Sequence, residues 1–311
     1  MSHEVEQMMY VGETPWHGLG VKLERPPTIE EAIELAGLDW DVRLEPLGIP
    51  DRPGVAVPAR ASVRATDGSV LGVVGTNYRP LQNREAFRWF QPLLDSGIAT
   101  LETAGSLREG RKVWILAKIS SMVGEVVSGD RVNGYVLLSN SHDGSSTVRA
   151  GFVPIRVVCN NTLSMAHSSQ DSALLRIRHT QNVDIALQHV RDVMDLATRS
   201  FVATIEQYRA LAAHKVDAAD LRRYVQLVYQ VPSERALDKR MSEFEAVYNG
   251  GLGMGTSSET LWRGYNAITE TTSWHRGQNQ DTRLDALWFG TAGEINDRAL
   301  SVGLQMVAGQ V

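Results

Sequence analysis

The sequence predicts an α+β fold: a mainly antiparallel sheet with short helices in the N-terminal half, followed by a helical C-terminal part. Three observations predict it. Strand-like runs from Trp40 to Cys159 succeed one another through short Gly/Asp turns, without the strand–helix alternation of a parallel sheet. At Gln181 the apolar spacing changes from that of a strand to that of a helix. From there Asn182–His214 runs without Pro or Gly, with Ile185, Val193, Phe201, Ile205 and Tyr208 at helical spacing. A strand-rich domain over 1–180 and a helical part over 181–311 follow.

Met1 to Arg25 has no clear period. Within it, Thr14–Gly20 reads as an ordered loop in which Trp16 either plugs the core edge or serves as a lid or stacking aromatic. Thr28–Gly37 is a short helix, with a Thr28/Glu31 capping box and Gly37 just past its end. Trp40–Leu47 alternates as a strand. Ala56–Ala65 and Ser69–Gly75 read as a hairpin across Thr66-Asp67-Gly68. Asn83 is expected to cap a helix that Pro92 kinks and Gly97 ends. Ala99–Ser106 and Arg111–Lys118 are two further strands.

The segment Tyr135–Leu163 then reads as a strand (Tyr135–Ser139), a polar turn (Asn140–Ser146), a second strand (Thr147–Cys159) and a helix opening at Asn160. Leu174–His179 alternates like a strand, with Arg176 and Arg178 on one face. In the C-terminal part Asp217 and Ser233 are expected to cap two helices. Asn249–Gly255, with four glycines in seven residues, suits a hinge or a linker at 249–255. Ser258–Thr272 is a helix, and Leu284–Leu300 another, broken at Gly290 or Gly293.

The totals exclude several classes. With 43% hydrophobic residues the chain can bury a sizeable core. A net charge of −5 argues against coating nucleic acid through bulk charge, although not against a local basic stripe. One cysteine excludes an intramolecular disulfide and a cysteine-cluster zinc site. No H-E-x-x-H, P-loop or dinucleotide glycine motif is present, so neither a metal nor a cofactor is expected. The N-terminus lacks a signal peptide and no apolar run reaches membrane-spanning length, which together point to the cytoplasm.

Two sets of residues carry the candidate chemistry. Arg149, Arg156, Arg176 and Arg178 gather in an acidic chain; with Lys112 they outline a basic groove, and Trp16 and Tyr135 offer stacking rings. Solvated arginines at sheet edges are the plainer account. The second set is the turn Asn140, His142, Asp143 and Ser145 with Asn160, Asn161 and Thr162 at the expected helix start, where free N–H groups favour an anion. Asp143 also explains itself as a turn residue, and the three that follow Cys159 as caps. Cys159 itself, behind Val157-Val158, reads as a buried small hydrophobe rather than a nucleophile.

Several phrases resemble one family. They are YVGETPWHGLG (Tyr10–Gly20), VVGTNYRPLQN (Val73–Asn83), ETAGSL with GRKVWILAK (Glu102–Lys118), LLSNSHDGSS (Leu137–Ser146), IRVVCNNTL (Ile155–Leu163), IRHT (Ile177–Thr180), Trp262–Glu270 and Leu287–Gly293. The chain is identified as a member of the phage/plasmid-like proteins classed as domain of unknown function 932. The resemblance implies a mobile-element origin and a cytoplasmic protein, and it names no reaction. That habitat favours DNA transactions, so the leading expectation is a nucleic-acid-binding protein that binds or anneals single strands in recombination or replication. The alternatives are an enzyme acting on a nucleotide or phosphorylated small molecule, and a non-catalytic assembly protein. Homo-oligomerisation is expected from the long helix.

Overall fold

The computed structural model describes residues 5–12, 20–52, 54–156, 161–162, 174–177, 190–256, 259–276, 286–287 and 290–311. The expected helix opening at Asn160, the loop around Trp16, and the residues Cys159, Arg178 and Asn182 lie outside them. The α+β class holds: the strands lie before residue 178 and the long helices after residue 189.

The chain forms two compact units, Met1–Ser120, Val136–Gly151 and Leu174–Asp195 in the first, and Ser121–Tyr135, Phe152–Ala173 and Leu196–Val311 in the second. The strand-rich half therefore supplies segments to both units, because its three central strands, β7 (Lys112–Val127), β8 (Asp130–Ser141) and β9 (Val148–Arg156), each pass from one into the other. β7 and β8 are longer than the sequence pattern indicates. They extend to Val127 and back to Asp130, and Gly129, at φ 81°, turns the chain tightly between them.

In the first unit β1 (Val5–Val11) lies between β2 (Val21–Leu23), its parallel neighbour, and β6 (Ala99–Leu107), its antiparallel one. The order continues through β7, β8 and β9 to β11 (Leu174–Ile177). Residues Lys112–Ala117 of β7 are buried on both faces. A separate meander joins β3 (Val42–Pro46), β4 (Ala59–Arg64) and β5 (Val70–Gly75). Helix α1 (Ile29–Leu35) has the capping box expected of Thr28 and Glu31, and buries Ile29, Ala32 and Ile33. Asn83 does not cap α2 (Asn83–Arg88); Gln82 takes that place, and Asn83 is the first helical residue. A second short helix, α3 (Gln91–Asp95), starts with Pro92 in its first turn, where a missing N–H costs nothing.

One joint in this unit is strained. Arg108 and Glu109 have φ of 54° and 58°, values that L-residues rarely adopt, between β6 and β7. Arg64 holds the turn: its guanidinium grips both oxygens of Glu6 at 2.6 and 2.7 Å, donates to the Glu109 carbonyl at 2.7 Å, and lies over the Trp40 ring.

The second unit contains the outer ends of β7–β9, β10 (Asn161–Thr162) and the helices. Asn161 and Thr162 pair with Arg156 and Ile155 as a strand, so they do not begin a helix. α4 (Val190–Ala213) is the long helix, ending where the pattern stops. Its apolar face is used inside its own unit: Phe201 meets Phe152 edge-on at 5.8 Å, Ile205 fits against Gly124, and Tyr208 lies on Trp262. α5 (Ala218–Tyr229) and α6 (Glu234–Gly250) are capped by Asp217 and Ser233 as expected. α7 (Leu261–Glu270) continues into a π-helical turn, Thr271–His275, and α8 (Thr291–Val307) starts after Gly290. Asn249 and Gly250 belong to α6, and Met254 is buried, so the glycine-rich stretch is in part regular structure. Among the described residues no helix is long and apolar enough to cross a membrane.

Candidate functional site

The hairpin tip between β8 and β9 is a joint. The Asn140 amide donates to the Leu81 carbonyl at 3.0 Å, the Tyr78 hydroxyl to the Ser141 carbonyl at 2.9 Å, and the His142 amide to Arg111 at 2.8 Å. The His142 ring is fully buried, edge-on to Trp40, with Nε2 3.0 Å from Asn83 Oδ1. Asn83 Nδ2 already donates to the Leu38 carbonyl at 3.1 Å, so Oδ1 is the acceptor and Nε2 carries the hydrogen. Asp143 accepts from the Ser145 amide at 2.8 Å and from the Ser141 hydroxyl. Burial pushes the Asp143 carboxyl up, but the bonds from Ser141 and Ser145 and the charge of Lys112 outweigh it and hold it below its usual value. A Cβ on Gly72 would come within 2.6 Å of the Asp143 Cα, so strand β5 runs directly beneath the tip. Asn140, His142, Asp143 and Ser145, expected as ligand donors, thus fasten the hairpin to the meander and to α2. The anion site expected at Asn160–Thr162 loses its helix N-terminus, because Asn161 and Thr162 are strand.

The basic set divides as well. Arg156 is 0% exposed and makes two bonds to Asp130, at 2.7 and 2.6 Å, and one to the Gly253 carbonyl at 3.0 Å. Trp262 Nε1 donates to the same Asp130 at 2.8 Å. A guanidinium so enclosed is a core element, not a phosphate contact. Lys112 and Tyr135 are buried too, which removes both from a groove surface. Arg149 and Arg176 stand directly opposite each other in the β9–β11 register. Arg178 and Trp16 lie outside the described residues.

The second unit holds a cavity of about 780 Å³ that the sequence reading did not single out. One wall is the face of α6 bearing Arg240, Glu243, Val247 and Gly250, spaced three and four apart as one helical face requires. Glu270 ends α7 opposite, and the π-helical turn brings Trp274 and His275, with Arg276 following. A π turn inserts a residue into the helical ladder and re-aims the side chains after it, a deviation frequent at functional sites.

Glu270 is 2% exposed. Its Oε1 accepts from the Leu252 amide at 3.0 Å and lies 3.7 Å from His275 Nε2; its Oε2 is buried without a hydrogen-bond partner. Gly251 makes that approach feasible, since a Cβ there would sit 2.8 Å from both carboxylate oxygens. Arg276, in the same lining, likewise has a buried Nη1 without a hydrogen-bond partner. Arg240 bonds Glu243 at 2.6 Å and lies over the Tyr229 ring. Burial pushes the Tyr229 phenol up, and the charges of Arg240 and Arg276 oppose that shift. One signal for this site was present in the sequence: Glu270 shares a face with Trp262 and Asn266 at spacings of four, an acid on an otherwise buried stripe. Among the described residues no group of His, Cys, Asp and Glu is placed to hold a metal ion.

A family model described as "Domain of unknown function (DUF932)" matches residues 70–288, a span that contains the hairpin joint and the whole cavity lining. No curated protein and no solved structure matches the chain.

Proposed function

Because this chain belongs to the DUF932 family, whose description names no activity, we propose its function from its own side chains: the helical unit binds a nucleotide or another phosphorylated small molecule in the cavity beside the π-helical turn. One observation carries the reading. Two guanidinium groups, Arg240 and Arg276, line one cavity together with the rings of Tyr229 and Trp274. The two cations suit a phosphate, and the two rings offer faces for a base. The cytoplasm, where such molecules abound, is the compartment we propose.

Isothermal titration with a panel of nucleoside and sugar phosphates tests the reading. Binding is expected in the micromolar range, weakened at least about tenfold, or 1.4 kcal/mol, in Arg276→Met. The absence of heat and of thermal stabilisation with every member at millimolar concentration would refute it.

Single-strand nucleic-acid binding is a second proposal, favoured by the Arg149–Arg176 register. Two arginines at paired positions bring two positive charges to one place on the sheet, which suits a phosphate backbone. Affinity that falls steeply with salt, with a slope that becomes shallower by under about one unit in Arg149→Ala, supports it. No affinity for single strands at low salt excludes it. Self-association is a third proposal; light scattering at the mass of one chain would end it.

A further inference from the structure

We propose that His275 sets the charge of this cavity, so that a phosphorylated ligand binds with uptake of a proton; the inference rests on the phosphate reading above. Every element of the lining contributes its ionisable groups. α5 supplies the Tyr229 phenol, which burial pushes up and so keeps neutral at ordinary pH. α6 supplies Arg240 and Glu243, bonded to each other at 2.6 Å. α7 supplies Glu270, and the chain after it His275 and Arg276. Two guanidinium groups are thus matched by two carboxylates, and a neutral imidazole leaves the lining without net charge. A protonated imidazole makes it positive. Histidine is the side chain whose ordinary titration changes its charge between pH 5 and 8. His275 therefore decides whether an anion meets net attraction here.

The position of the ring suits that role. Its Nε2 lies 3.7 Å from Glu270 Oε1, and the Leu252 amide holds that carboxylate at 3.0 Å. The protonated ring so has a partner within the protein, while 55% of the His275 side chain stays exposed. No ligand atom has to touch the ring. A unit charge is felt over about 8 Å at physiological salt, so a group lining a cavity of about 780 Å³ acts on an anion anywhere within it. The anion in turn stabilises the imidazolium, and reciprocity requires its affinity to rise as pH falls through the imidazole range. A phosphate monoester loses its second charge near pH 6, which works in the opposite direction, so a gain on acidification has to come from the protein.

The test is isothermal titration of the full chain at pH 6, 7 and 8 with sulfate, adenosine 5′-monophosphate and ribose 5-phosphate, in wild type and in His275→Gln. The ratio of wild-type to variant affinity should rise at least about threefold from pH 8 to pH 6 for each compound, because the ligand's own titration cancels in the ratio. His275→Lys, charged throughout, should bind sulfate at pH 8 as tightly as the wild type does at pH 6, a rescue that a merely structural role does not give. In the wild type, sulfate keeps its charge over this range, and heats in buffers of different ionisation enthalpy should show a fraction of a proton taken up at pH 7. That count needs no variant, so the inference stays testable if His275→Gln does not fold. Bound anions with no proton uptake overturn the inference while the phosphate reading stands. A pH dependence that persists unchanged in His275→Gln does the same, since another group then carries the proton. Binding of no phosphorylated compound sinks both.

Discussion

Replacing Asp130 by Asn should destabilise the second unit severely. Asp130 and Arg156 are both 0% exposed, and the carboxylate accepts two bonds from Arg156 and one from Trp262. Asn is nearly isosteric, so packing is retained. Its oxygen can still accept from Trp262, but its NH₂ meets the guanidinium with donors facing donors, and Arg156 loses the counter-charge that Asp130 supplies. Removing one member of a buried ion pair costs about 3–5 kcal/mol, whereas replacing both members by apolar groups of similar volume is often neutral. The double variant Asp130→Leu/Arg156→Met should therefore recover most of the loss. Urea denaturation followed by tryptophan fluorescence measures both, since Trp262 contacts the pair. For a unit of this size the single change should lower the melting temperature by roughly 6–20 °C, at about 2–4 °C per kcal/mol. A change below about 1 kcal/mol in folded Asp130→Asn protein would refute the reasoning, because it would mean that water or another group neutralises Arg156.

Three further outcomes are expected. Gln230, which ends α5 at φ 52°, should stabilise the protein by about 0.5–1 kcal/mol when changed to Gly, since glycine adopts that conformation without steric cost; unchanged urea midpoints would contradict this. Gly72→Ala should cost about 1–3 kcal/mol, because its Cβ meets the Asp143 backbone, while Gly75→Ala on the same strand meets nothing and should be near neutral; equal effects in chemical denaturation would show that the tip yields. Asp143, held below its usual value in the folded state, contributes stability that is present above about pH 4 and lost as pH falls through its folded value. Midpoints of wild type and Asp143→Asn should therefore converge on acidification, and parallel curves would exclude the linkage.

Local chemistry was legible in the sequence wherever it is decided by near neighbours. The capping box at Thr28 and Glu31, the caps at Asp217 and Ser233, the turn at Gly68 and the break at Gly290 all depend on residues within one turn of each other. Asn83 shows the limit: it resembles a cap, yet its amide reaches Leu38 and its oxygen His142, partners 45 and 59 residues away. Arg156 shows it more sharply, since a clustered arginine reads as surface charge until its buried partner Asp130 is known. The cavity was illegible for the same reason. Its wall on α6 and its carboxylate on α7 come from helices that look ordinary alone, and the glycine that admits Glu270 reads as flexibility rather than as clearance.

The position of β1 has a consequence for synthesis. The main partner of this strand is β6, which is made much later; Glu6 bonds Ser106, 100 residues further along the chain. At about 5–20 residues per second, that partner is made roughly 5–20 s afterwards. Until then Met8, Met9 and Tyr10, all buried in the finished protein, have only the short parallel neighbour β2 to pair with. A nascent chain in this interval presents an apolar, unpaired strand edge, the feature most prone to pair with another chain. Overexpressed protein should therefore be most vulnerable to aggregation between the synthesis of β1 and that of β6, and a lower growth temperature or a holding chaperone should act there.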